Sequence, residues 1–119
     1  MRVIGILLAA LLPLAAAAQE SAAVGTGAVL RGLEKLSGDV IEIPLGPGEQ
    51  AQFGPLTVEL AQCRYPQGDP AADAFAFLTI REEGQDAPIF SGWMIASSPA
   101  LNALDHPRYD VWVLRCKTE

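Results

Sequence analysis

The sequence predicts an all-β fold: a small single-domain β-sandwich or barrel-like structure with one short helix before the last strand. Three observations predict it. After the first eighteen residues, Gly or Pro recurs about every eight to twelve positions, the spacing of short strands joined by turns. Several intervening runs alternate apolar with polar residues, as in Ile41-Glu42-Ile43-Pro44-Leu45 and Leu56-Thr57-Val58-Glu59-Leu60. The 119 residues allow one domain rather than two. Composition narrows the function. Eight Lys and Arg against 14 Asp and Glu give a net charge of −6, which argues against a nucleic-acid binder that must displace counterions from phosphates. One His and two Cys do not supply a four-ligand zinc site on their own. No metal or other cofactor is expected.

Residues 1–18 read as a cleavable secretory signal peptide: Arg2, an apolar run from Val3, then the small-residue exit Ala16-Ala17-Ala18. A membrane anchor fits less well, because a run of about 16 residues interrupted by Pro13 is short for a span of roughly 20. Export places the mature chain in the periplasm, with no stable membrane span after cleavage. Residues 19–27, rich in Ala, Gly, Ser and Thr, are expected to form a flexible lead-in. The β domain then occupies 28–119.

Within it, the run Ala28–Leu36 has an ambiguous period. The strand reading prevails because Gly32 costs a helix about 1 kcal/mol and Ser37-Gly38-Asp39 makes a hairpin turn. The next run places Ile41, Ile43 and Leu45 on one face, and Pro44 confines it to an edge. Past turns at Gly46-Pro47-Gly48 and Gly54-Pro55, Leu56, Val58 and Leu60 share a core face. Strict alternation then turns Cys63 outward. Either a bulge after Leu60 re-aims the thiol or a bridge lies outside. Ala74–Arg81 has Phe75 and Phe77 on one face and Ala76, Leu78 and Ile80 on the other, which suggests a strand covered on both sides. After Ile89–Ala96, Ser98 and Pro99 read as the cap and first turn of a short helix. The strand Tyr109–Cys116 closes the domain.

In an oxidising compartment the even cysteine count leaves one connectivity, Cys63 with Cys116. A bridge across roughly 53 residues stabilises by about 4 kcal/mol in the chain-entropy account. Other chemistry is thin. Ser98, Asp105 and His106 supply the residue types of a hydrolase triad, but there is no Gly-x-Ser-x-Gly elbow, and Asp105 with His106 fits a turn before Pro107 better. Glu82, Glu83 and Asp86 lack calcium-loop spacing and read as a solvated turn. The two cysteines have no Cys-x-x-Cys redox arrangement. Trp93, Trp112, Tyr65 and Tyr109 offer sugar-stacking surfaces, although Trp93 and Trp112 are expected in the core, Trp112 on the face of Leu114 and Cys116.

The stretch Phe90-Ser91-Gly92-Trp93-Met94-Ile95-Ala96-Ser97-Ser98-Pro99, followed by Asp105-His106-Pro107 and Tyr109–Cys116, resembles the DUF2155 family. Val29–Lys35 and Phe53–Cys63 are similar to its N-terminal half, with Glu34 where Asp is expected. The resemblance implies a small exported protein of alphaproteobacteria, pairs the two cysteines, and supplies no catalytic residues. The combined expectation is a non-enzymatic binding or interaction module of the cell envelope, its partner an envelope protein or cell-wall component. Two alternatives stand beside it: a carbohydrate or peptidoglycan binder using an exposed Trp, and the Ser98–Asp105–His106 hydrolase. The expected interaction surface is the connection from Ser97 to Tyr109, with Asn102, Asp105, His106, Arg108 and Tyr109 displayed and Leu101 and Leu104 capping the core end.

Overall fold

The structure, a computed structural model, describes residues 21–119. The expected signal peptide lies outside them. Eight strands form two antiparallel sheets packed as a sandwich. The larger sheet contains β1 (Ala22–Val24), β4 (Gln50–Phe53), β5 (Leu56–Pro66), β6 (Phe75–Glu82) and β7 (Phe90–Ile95), ordered β1-β5-β6-β7 with β4 also on β5. The smaller contains β2 (Gly27–Glu34), β3 (Val40–Leu45) and β8 (Tyr109–Lys117), ordered β3-β2-β8. Leu30, Ile43, Leu45, Val111 and Val113 from one sheet meet Leu56, Val58, Leu60, Leu78, Ile80 and Met94 from the other.

Most of the expected alternation is present. Leu56, Val58 and Leu60 are fully buried, and Pro44 sits on the edge strand β3. Gly32 is needed in β2 for packing: a Cβ there would lie 2.7 Å from the Phe53 ring. The cysteine question resolves through two bulges. In β5 the register against β6 slips between Leu60 and Gln62, leaving Ala61 extra. In β8 the register against β2 slips so that Leu114 is extra. Each slip reverses the pleat for the residues beyond it, so Cys63 and Cys116 both turn inward. They form a disulfide between the sheets, Cα atoms 5.7 Å apart. Both are buried.

Several expectations are corrected or refined. The lead-in is not free of structure from Ala22 onward, because Ala22–Val24 pair with Arg64–Pro66. Ile41 is 42% exposed. It lies in the turn-proximal half of an edge strand, where sheet twist carries residues off the opposing sheet. Among the described residues no other strand crosses the outer face bearing Phe75 and Phe77. They remain half-buried, and Trp93 beside them is 38% exposed rather than in the core. Trp112 is half-buried on the outer face of the smaller sheet, while the Leu114 bulge puts Cys116 on the opposite face. The short helix expected before the last strand is present as a single 3-10 turn, Pro99–Leu101, but the Ser98 side chain accepts no capping N–H. Leu101 is 74% exposed, so only Leu104 closes the core.

Candidate functional site

The connection from Ser97 to Tyr109 is held by its own polar groups. Asp73, in the loop before β6, accepts from Ser97 Oγ at 2.6 Å, from the Ser97 N–H at 2.9 Å and from the Ala74 N–H at 2.8 Å. Burial alone would raise its pKa, but these donors hold it below the usual carboxylate range. Asn102 Nδ2 donates to the Trp93 carbonyl at 2.8 Å. The connection thus props the outer edge of β7 from behind Trp93.

His106 is the turn residue that the sequence suggests. Its Nδ1 accepts the N–H groups of Arg108 and Tyr109 at 3.0 and 3.1 Å. That assigns the ring proton to Nε2, which faces Glu82 at 3.3 Å. Lys35 Nζ donates to the His106 carbonyl at 2.7 Å. Arg108 Nε reaches Glu34 at 2.9 Å, and its guanidinium lies over the Tyr109 ring. The Ser37 side chain first, and Arg108 second, bring the Glu34 carboxyl down to about 2, with the Ser37 and Leu36 N–H groups adding to the effect. Tyr109 is buried, its ring edge-on to Phe53. Asn102, Asp105 and Arg108 are exposed.

Ser98, Asp105 and His106 are not brought into a relay. Among the described residues no hydrogen bond joins His106 to either of the other two, and the carboxylate nearest a serine hydroxyl is Asp73 on Ser97. Glu82 belongs to His106 rather than to an acidic cluster with Glu83 and Asp86. Among the described residues no group of three metal-ligating side chains converges.

The second candidate is the outer face of the larger sheet, which sequence reasoning missed as a surface. Register across the strands sets its side chains in rows. One row runs Val24, Arg64, Phe75, Ile95; the next Gln62, Phe77, Trp93; the next Gln50, Glu59, Thr79, Ser91. Phe77 and Trp93 pack edge to face with centroids 5.3 Å apart. The Arg64 guanidinium lies 5.5 Å from the Trp93 centroid, and its Nε donates to Gln62 Oε1 at 2.6 Å. Ala22, Arg64, Phe75, Trp93 and Ile95 line a shallow depression of about 360 Å³. The signal for this face is present in the sequence as apolar residues on both sides of β6. Period alone reads it as burial.

Two sheets, an inter-sheet disulfide and an aromatic outer face define a small stapled β-sandwich with a partly exposed aromatic face. This chain belongs to the DUF2155 family, described as an uncharacterized protein conserved in bacteria, which it matches over residues 28–116. It is also similar to Uncharacterized protein RP359 of Rickettsia prowazekii (strain Madrid E), with 31% identity over 87 residues. That alignment takes in 71% of this chain and 56% of the relative, so the chain spans little more than half of that protein's length. No solved structure matches.

Proposed function

We propose that the domain is a periplasmic, non-enzymatic binding module of the cell envelope, and that its contact surface is the outer face of the larger sheet. The carrying observation is Trp93, exposed among Phe75, Phe77 and Ile95 with Arg64 beside it. Apolar surface grouped with a few polar side chains marks interaction sites. The Cys63–Cys116 bridge supports an oxidising compartment, as does the signal-like start of the sequence. The connection from Ser97 to Tyr109, expected as the contact surface, has its polar atoms engaged within the fold at Asn102, His106 and Arg108. Its role in this reading is to brace β7, and the partner remains an envelope protein or cell-wall component.

The test immobilises the protein and passes over it three envelope fractions: purified sacculi, membrane vesicles and soluble periplasmic proteins. The expected result is retention of one fraction by the wild type, lost in the Trp93→Ala, Phe77→Ala double variant with its melting transition still cooperative. Equal retention by both, or by neither, overturns the assignment. Retention lost instead in Asn102→Ala or Arg108→Ala moves the surface to the connection.

A further inference from the structure

We propose that the outer face of the larger sheet is a saccharide platform and that its ligand is a carboxylate-bearing glycan lying across β5, β6 and β7. This rests on the binding-module reading above and names the ligand class. A sugar ring offers an apolar C–H face and a rim of hydroxyls, so its site needs aromatic carbon flanked by hydrogen-bonding groups at ring spacing. The rows supply that order. Trp93 and Phe77 occupy one row; Glu59, Thr79 and Ser91 occupy the next, two residues further along the strands. Two residues of strand amount to about 7 Å, which leaves a hexose centred on the aromatic row with its hydroxyls one hydrogen bond, about 3 Å, from the polar row. Gln62 is in the aromatic row itself and Arg64 in the row on the other side.

The charge on this face differs from that of the whole chain. Arg64 and Arg81 balance Glu59 and, one row beyond Phe75 and Ile95, Asp73, in a protein of net charge −6. An anionic ligand is therefore repelled less by this face than by the rest of the surface. Arg64 is prepared for a carboxylate. Its guanidinium lies over one face of the Trp93 ring, and Nε is held by Gln62. Among the described residues its Nη atoms have no protein partner, leaving a planar fork for a bidentate contact. A lipid surface fits less well, because Gln62, Glu59, Thr79 and Ser91 would have to be carried into an apolar phase without partners.

The test is a titration of the folded protein by tryptophan fluorescence, with peptide-free disaccharides containing N-acetylmuramic acid and with oligogalacturonate as carboxylated probes. A neutral chito-oligosaccharide of matched length and anionic phospholipid vesicles serve as comparisons. Saturable binding of at least one carboxylated probe is expected, with the neutral sugar about tenfold weaker. Arg64→Gln should bring the carboxylated probe down to the neutral sugar's affinity, and added salt should do part of the same. Trp93→Ala should abolish both, read by calorimetry because that variant lacks the reporter, while Trp93→Phe retains a measurable fraction. Equal affinity for charged and neutral sugars overturns the carboxylate assignment. No response to any sugar overturns the platform, and so does Trp93-dependent binding to vesicles alone. If sugars fail while the envelope retention remains Trp93-dependent, the ligand class is wrong and the binding module stands. If both fail, both fall.

Discussion

The outer faces of the two sheets carry one tryptophan each and treat it differently. On the larger sheet Trp93 stands in an aromatic row beside Phe77, with an arginine packed against it, and 38% of it faces solvent. On the smaller sheet Trp112 lies in a row with Arg31 and Glu42, which are paired at 3.4 Å. Pro99, Ala100, Ala103, Asp110, Val111 and Trp112 line a groove of about 410 Å³ between the connection and the smaller sheet. Trp112 therefore borders the connection, whereas Trp93 stands on an open face. The difference comes from the path of the chain between the two strands. After β7 it runs beside Trp112, and among the described residues no other strand crosses the outer face of β7.

That comparison presupposes sheets locked at one end by the disulfide. The largest expected effect tests this lock. Cys63→Ala with Cys116→Ala should destabilise by about 4 kcal/mol, measured by denaturant unfolding against the wild type. Because the bridge joins β5 to β8, the loss should loosen both outer faces together. Exchange protection lost in the smaller sheet alone would show that the two faces are not held as one body.

The tryptophans themselves come next. Trp112→Ala removes a half-buried ring that borders the connection and should cost about 2 kcal/mol, below the roughly 3–5 expected for a core Trp. Trp93→Ala should cost no more than about 1 kcal/mol, since its ring packs only on Phe77 and Arg64 and otherwise meets solvent. Thermal unfolding of the two single variants checks the order. A reversal would make Trp93 a packing residue and remove the basis for a display face.

How legible each residue is in the sequence depends on what positions it. Strand positions such as Leu56, Val58 and Leu60 are set by local alternation, so period alone places them in the core. The two cysteines depend on bulges at Ala61 and Leu114, and a bulge has no period of its own. At Cys63 the alternation itself signals a conflict, with two solutions. At Leu114 nothing signals the matching slip, and unbroken alternation assigns Trp112 the wrong partners. The aromatic face is harder. Phe75, Phe77, Trp93 and Arg64 become one surface only through the pairing of three strands, and alternation read along one strand does not distinguish an uncovered apolar face from a covered one. The connection is half legible. His106 as a turn residue is implied by Pro107 and Asp105, whereas Asp73 on Ser97 is a contact across 24 residues that no local pattern announces.

The smallest effect separates the two sheets by pH. The smaller sheet relies on charged pairs, Arg31 with Glu42 on its face and Arg108 with Glu34 at its end; the aromatic row of the larger sheet has no carboxylate within it. Glu34 titrates near 2 in the folded protein, because the Ser37 side chain and Arg108 favour its ionised form. Its folded pKa lies below the ordinary value of 4.5. Its contribution is therefore complete above about pH 4.5 and is lost as pH falls towards about 2. Over that window the amides of Leu36 and Ser37, which donate to Glu34 at 3.2 and 2.9 Å, should lose exchange protection. The Trp93 environment should hold. Arg108→Ala should produce the same local loss at neutral pH with little change in the global melting transition, as for an exposed pair. Glu34→Gln should flatten the acid response at Leu36 and Ser37. If protection around Trp93 falls over the same pH range as at Leu36, acid acts on the whole sandwich, and the contrast between a charge-paired sheet and an aromatic one has no consequence for stability.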